Sequence, residues 1–159
     1  MDEEARRQLA QLVRTQRVAA LGTLHDGRPL VTAVLYAAAA DFSAFFIHVS
    51  RLALHTQSLR QDPRASLLIA EPDTGAKNPL ALARVSIRGE ASEVALSAAD
   101  YEAVKQAYLT KFPEAAINFS LPDFSLYAVV PAAARYIAGF GRIHDLRPED
   151  FTLAAQQRT

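Results

Sequence analysis

The stretch that decides the fold is SRLALHTQSLRQDPRASLLI, which runs from Ser50 to Ile69. It follows a mostly apolar run, FFIHV (45–49), and it ends in a second apolar run, SLLI (66–69). Runs of this length that are bounded by polar residues are typical of buried strands. The segment between them has helical composition and stops before Pro63, which cannot extend a helix. The stretch therefore predicts a strand, a short helix and a second strand.

Further strand signals lie on both sides of this unit. Upstream, residues 17–37 read as two strands around a turn at 25–28, whose Asp-Gly pair favours a hairpin. Downstream, the alternating segment 82–96 predicts a long strand in which Gly89 marks a bulge or a close backbone approach. Two more strands are predicted at 123–131 and 134–143, separated by Pro131.

These elements define the predicted fold class. Six or seven strands joined mostly by short turns, with two or three helices, predict a mainly β (α+β) fold, an antiparallel barrel with flanking helices. Two of the helices are predicted at 2–15 and 97–112 from their apolar spacing. Neither a repeat nor a linker interrupts the 159 residues, so a single domain, 1–159, is expected.

Composition excludes several classes of function. Basic and acidic residues number 17 each, and the resulting zero net charge argues against nucleic acid or an anionic membrane as partner. The chain has no Cys, which excludes disulfides and thiolate chemistry. The charged N-terminus is unlike a secretory signal, no apolar run is long enough to span a membrane, and a cytoplasmic location is expected. No pair of His has helix-face spacing, so no dedicated metal site is predicted.

The junction between the strand and the helix is a candidate binding site. A helix that begins there presents free backbone N–H groups, which bind anions. Ser50 would be the N-cap, while Arg51, His55, Thr56 and Ser58 would add donors around the first turns. Alternatively, Ser50 only caps the helix, and His55 and Thr56 lie on a solvated face. The residues by themselves leave both interpretations open.

The order of residues in this stretch resembles the pyridoxamine 5′-phosphate oxidase-like FMN-binding split-barrel family, and most closely its haem iron utilisation branch. That branch typically reads small hydroxyl, x, Leu-Ala, x, His-Thr, and later Asp-Pro-Arg and Ser-Leu-Leu. The similarity continues at 19–37, 84–91 and 123–131 and in the GFGR motif at 139–142, which is expected inside a strand. The matching positions of the central stretch are Ser50, Leu52, Ala53, His55, Thr56, Leu59, Asp62, Pro63, Arg64, Ser66, Leu67 and Leu68.

The resemblance implies a homodimer with one FMN in each of two clefts along the subunit interface. Arg84 falls where a side chain approaches the polar edge of the flavin, and Arg142 would reach the cleft from the C-terminal part of the chain. The strand that borders the flavin ring corresponds to Thr32, Ala33, Val34 and Leu35.

The resemblance also implies a phosphate site at the strand–helix junction. Val49 and Ser50 fall beside the ribityl phosphate, and His55 and Thr56 fall on the phosphate-binding turn of the helix. A phosphate dianion beside His55 would raise the pKa of its imidazole.

The function implied first is that of an FMN-dependent oxidoreductase acting on an unidentified small substrate. One alternative is a haem-binding or haem-utilisation protein that uses the same dimer cleft, and another is a non-catalytic flavin carrier or sensor. Haem-degrading members of the branch use a His from a C-terminal extension without a counterpart among the matched motifs, so the sequence ranks haem second. No residue is identified as a catalytic acid or base.

Overall fold

The computed structural model describes residues 1–157 as one curled antiparallel sheet with helices packed around it. The strands are β1 (Val18–His25), β2 (Arg28–Leu35), β3 (Ala37–Ala38), β4 (Phe45–Ser50), β5 (Arg64–Ala70), β6 (Arg84–Glu93), β7 (Phe124–Ile137) and β8 (Ile143–Leu146). The helices are α1 (Glu3–Thr15), α2 (Leu54–Gln61), α3 (Tyr101–Lys111) and α4 (Pro148–Ala155), with short 3-10 segments at Pro79–Ala81 and Pro113–Ser120.

The strand order is β2-β1-β5-β6-β7-β4-β3, and β8 pairs with the end of β7. The sheet curls until β2 comes close to β4, but within residues 1–157 no backbone ladder joins these two strands. The barrel therefore stays open, or split, along that seam. The predicted mainly β antiparallel barrel with flanking helices is confirmed; the short strands β3 and β8 and the helix α4 are additions to the prediction.

Pro131 does not divide two strands, and that part of the prediction is wrong. β7 runs through Pro131 as a single strand of 14 residues. Its register with β6 shifts between Arg88 and Gly89, so Ala132 has no partner and Gly89 lies opposite Pro131. A Cβ on Gly89 would lie 2.0 Å from the carbonyl oxygen of Val130, so only glycine fits there. The bulge predicted at Gly89 is confirmed, and it accommodates the residue that lacks an N–H.

The GFGR motif is a turn, whereas the sequence predicts it inside a strand. Residues 138–142 connect β7 to β8, with Gly139 at φ +138° and Gly141 at φ +76°. These backbone angles are rare for residues with a side chain. The amide of Ala138 donates to the carbonyl oxygen of Arg142 at 2.9 Å, which closes the turn. The two glycines thus reverse the chain at the end of β7.

Two apolar cores hold the helices in place. The larger core fills the curled sheet beneath α1 and α4 and includes Leu9, Phe45 and Phe151, none of which is exposed to solvent. The smaller core lies under α3, where Tyr108 and Phe112 pack on β3, β4 and the 113–120 segment. Phe119, which packs against this second core, stacks on His48 of β4 and so lies close to the strand–helix junction. No helix among the described residues is long and apolar enough to cross a membrane.

Candidate functional site

The junction after β4 differs from the prediction in where its helix begins. Ser50 is the last residue of β4, whereas α2 begins at Leu54 with Ala53 as its N-cap. The Ser50 hydroxyl donates to Asp123 Oδ2 at 2.6 Å and accepts from the amide of Leu52 at 3.1 Å. Ser50 therefore caps the turn that precedes the helix, and its predicted role as helix N-cap is wrong.

A cleft of about 280 Å³ opens at this junction. It lies between the ends of β2 and β4, the start of α2, and α3 with the 3-10 segment that follows it. No backbone hydrogen bonds of the sheet connect β2 to β4 in the described part of the chain, so the cleft coincides with the split of the barrel. It brings together six of the ten predicted site residues, namely Ala33, Val34, Leu35, Val49, Ser50 and His55.

Two histidines line this cleft with partly buried rings. Within residues 1–157, neither His48 Nδ1 nor His55 Nε2 has a hydrogen-bond partner, although both atoms are buried. The His48 ring stacks on Phe119 with centroids 3.8 Å apart and planes 9° apart. Burial lowers the pKa of His48 to about 4 and also lowers the pKa of His55. Both imidazoles are therefore neutral near pH 7, and the raised pKa expected for His55 beside a phosphate is not found in the chain by itself.

The charges around the cleft do not match a phosphate dianion. Among the residues that the structure describes, no lysine or arginine lines it. The carboxylate of Asp123 accepts from Ser50, so an anion already lies at the strand end predicted to face the phosphate. The guanidinium of Arg51 donates to the carbonyl oxygen of Pro122, away from the cleft. Among the described residues, a single chain therefore offers a phosphate in this cleft the backbone N–H groups at the start of α2 and no cation.

The other four predicted site residues lie outside the cleft of the single chain. Thr56 is fully buried, and Thr32 is partly buried; neither side-chain hydroxyl has a partner within 1–157. Arg84 donates to the carbonyl oxygen of Leu82 at 3.0 Å. Arg142 contacts Asp2 at 3.4 Å. Arg84 pairs with Ile137 at the end of β7, and Arg142 ends the turn that follows it. Their assignment to a ligand stays a prediction.

Several residues of the cleft were missed by sequence reasoning. Tyr108 and Asn118 belong to α3 and the segment after it, and Phe124 opens β7. Nothing local in their sequence marks them, because α3 meets the cleft only through tertiary packing. His48, which was not among the predicted site residues, also lies in the cleft wall. The described residues contain no group of three or more His, Asp or Glu side chains arranged to hold a metal ion.

Comparison with known proteins identifies the family. A family model described as pyridoxamine 5′-phosphate oxidase matches residues 5–138. The chain therefore belongs to the pyridoxamine 5′-phosphate oxidase family, and the resemblance inferred from its sequence motifs is confirmed. The split barrel described above agrees with this membership.

The most informative relatives carry names that refer to haem. The chloroplastic non-canonical haem oxygenase HOZ of Arabidopsis thaliana is 38% identical over 119 residues, which are 72% of this chain and 33% of that protein. The haem oxygenase HutZ of Vibrio cholerae is 26% identical over 126 residues, covering 79% of this chain and 70% of HutZ. A solved structure of a haem-binding protein from Mycobacterium smegmatis has a TM-score of 0.84 at 27% identity, covering 96% of this chain and 62% of that one.

These relatives change the order of the candidate functions. This chain spans about a third of the plant relative's length, and the names of all three relatives refer to haem. The comparisons therefore favour the haem alternative over the FMN oxidoreductase that the sequence ranked first.

Proposed function

We propose that this protein binds haem in the cleft at the split of the barrel, and that two copies of the chain complete this cleft. The observation that carries the proposal is the pair of neutral, unpartnered imidazoles, His48 and His55, in a cleft without a lysine or arginine from the described chain. Haem-binding and haem-degrading relatives support it.

The chemistry of the cleft fits a porphyrin better than a phosphate. A neutral imidazole is the form that coordinates iron, so His48 and His55 are the residues that would hold the metal. Val34, Leu35 and Phe124 offer apolar walls to a macrocycle. When bound, haem supplies the redox and oxygen chemistry of its iron, while the protein sets access and polarity around it.

The size of the cleft supports a second chain as part of the site. Its volume of about 280 Å³ in one chain is at the lower limit of pockets that enclose drug-sized ligands, and a porphyrin needs more cover. A larger groove of about 670 Å³ lies on the outer face of the sheet. A row of paired residues crosses five strands at its floor, namely Val31, Gly22, Ser66, Arg88 and Ala133.

This outer groove and the cleft share strand β2. Val31 lies in the groove and is 70% exposed, while Ala33 and Leu35, on the same side of β2, line the cleft. A second copy that packs on the groove would therefore border the cleft as well. In such a homodimer, Arg84 and Arg142 would serve a ligand only across the subunit interface.

FMN is the second candidate ligand, as part of an oxidoreductase or of a flavin carrier or sensor without turnover. It is supported by the family and by the N-terminus of α2, where Ala53 provides no side-chain cap for the free backbone N–H groups. The carboxylate of Asp123 beside Ser50 opposes it.

Titration of the purified chain with hemin and, separately, with FMN tests the choice of ligand. We expect saturable hemin binding with a sharpened and shifted Soret band, and weaker or no quenching of FMN fluorescence. Saturable FMN binding without saturable hemin binding would contradict the proposal and favour the flavin protein.

Light scattering tests the assembly on the same samples. We expect twice the chain mass of 17.3 kDa, and we expect the change Val31→Glu to shift the protein towards the monomer by placing a charge in the outer groove. Leu96→Glu is the matched control, because Leu96 is 82% exposed and lies outside the groove. A monomeric unchanged chain, or equal behaviour of the two variants, would argue against this interface.

A further inference from the structure

A separate cleft of about 240 Å³ lies on the other side of α3. It is formed by the end of α1, β3 with the loop after it, and α3. Half of the residues in its wall are alanines, namely Ala37–Ala40 and Ala107, and Val13, Arg14, Phe42 and Thr110 complete it around the lysine. One amine, that of Lys111, stands in this wall. Neither family membership nor the haem proposal assigns a role to this cleft.

Lys111 is placed differently from the other two lysines of the chain. Its half-buried side chain has its Nζ 4.0 Å from the centroid of the Tyr36 ring and 3.4 Å from the carbonyl oxygen of Val13. Within residues 1–157 it forms no ion pair, whereas Lys77 pairs with Glu71 at 2.9 Å and Lys105 lies 4.0 Å from Glu102. Lys111 therefore combines an apolar surrounding with the absence of an anionic partner.

The charged groups around this amine are cations or are already paired. Arg17 lies close enough to Lys111 for its charge to affect the pKa of Lys111, but it is paired with Glu114. Arg14 donates to the backbone carbonyl oxygens of Ala155, at the end of α4, and of Gln157. Burial, and to a lesser degree the charge of Arg17, lowers the pKa of Lys111 to about 8. The π face of Tyr36 opposes this effect, because it attracts the ammonium form. A fraction of neutral amine far larger than that of an ordinary lysine remains near pH 7.

We propose that Lys111 captures small apolar aldehydes as imines in this alanine-lined cleft. The amine nitrogen attacks the carbonyl carbon, a C–N bond forms, and the carbonyl oxygen leaves as water, so no oxidant or reductant is required. The protonated imine keeps a positive charge over the Tyr36 ring, whereas an acyl group would abolish that contact. The alanine wall receives the apolar group of the aldehyde.

Reductive trapping on the full chain tests this proposal. The protein is incubated with benzaldehyde and cyanoborohydride at about pH 7, and the labelled peptides are quantified by mass spectrometry. Because the neutral fraction of Lys111 is larger, we expect its labelling to be about tenfold faster, or more, than that of Lys77 and Lys105. Labelling of Lys111 that is no faster than that of the other two would overturn the proposal without any variant.

A change in the cleft wall separates capture in the cleft from simple reactivity. Ala107→Leu fills part of the cleft. We expect it to slow labelling of Lys111 by benzaldehyde at least severalfold and to leave labelling by formaldehyde, which needs no cleft, nearly unchanged. Lys111→Arg is the control for the other two lysines, whose labelling rates should stay the same. Equal effects of Ala107→Leu on the two aldehydes would refute the role of the cleft.

Discussion

His48 is held in β4 between aromatic side chains, with Phe119 stacked on one face of its ring and Tyr108 at its edge. Proton binding would place a charge in this apolar surrounding without a carboxylate to compensate it, which is why the pKa of His48 falls to about 4. The same desolvation acts on His55. At the scale of single residues, the cleft is therefore built to keep imidazoles neutral.

This low pKa makes folding stability depend on pH. The unfolded chain protonates His48 near its ordinary pKa of 6.5, whereas the folded chain does so only near 4. Between these values the unfolded state binds more protons, so stability falls as the pH drops below 6.5. Because solvent reaches part of the half-buried ring and screens this effect, we expect the ligand-free protein to lose about 1 kcal/mol of unfolding free energy between pH 7 and pH 5 through His48.

Urea unfolding measures this contribution of His48 to the pH dependence of stability. The unchanged protein and His48→Phe are compared at pH 7 and pH 5 and at one protein concentration. The phenyl ring keeps the stacking on Phe119 but cannot be protonated, so the variant should lose less stability on acidification. The same loss in both proteins would show that His48 does not titrate as the structure indicates.

At the scale of elements, the bulge between β6 and β7 decides how the long strand continues. Gly89 lies against the backbone of Val130, where no side chain fits, and the register shift beside it lets Pro131 stay within β7. Gly22, in β1, lies against a movable group instead, since an added Cβ would meet the hydroxyl of Ser66 at 2.4 Å. The two glycines therefore differ in whether the neighbouring group, a backbone carbonyl or a side-chain hydroxyl, can move to make room for a Cβ atom.

Substitution of each glycine by alanine tests this difference. Gly89→Ala should destabilise the protein by about 2–4 kcal/mol, because the backbone of β7 has to move. Gly22→Ala should change the stability by about 1 kcal/mol or less, because Ser66 can change rotamer. Urea unfolding of both variants gives the comparison, and a Gly89→Ala protein as stable as Gly22→Ala would contradict this account of the bulge.

Elements that depend on local sequence were predictable, and those that depend on distant partners were not. Asp26 and Gly27 adopt positive φ angles and form the predicted hairpin turn, and α2 ends before Pro63 as expected. Ser50 was misread because its hydroxyl is bound by Asp123, 73 residues away in sequence. The strand that continues through Pro131 likewise requires the bulge at Gly89 in a neighbouring strand.

The candidate site divides in the same way. Contiguous residues of β2 and the β4–α2 junction, such as Ala33 and His55, could be placed in one cleft from the family motifs. Tyr108 and Asn118 could not, because only the packing of α3 and the following segment brings them there. The charge of the cleft could not be predicted from the sequence either, because the tertiary fold brings the carboxylate of Asp123 to Ser50.

At the scale of the whole molecule, the open seam between β2 and β4 places an apolar, histidine-lined cleft beside the exposed outer face of the sheet. The proposed homodimer through that face would place a second chain at the border of the cleft and add cover for a porphyrin. The proposed haem site thus depends on two features of the fold, the split of the barrel and the uncovered face next to it.

Hemin titration of the four single His→Ala variants, followed through the Soret band, tests this account most directly. His48→Ala and His55→Ala remove the imidazoles of the cleft, whereas His25→Ala and His144→Ala change histidines that do not line it. We predict a shifted Soret band and a loss of hemin affinity of about tenfold or more in at least one variant of the first pair, with both controls unchanged. Hemin affinity and Soret position that are the same in all four variants and in the unchanged protein would contradict it.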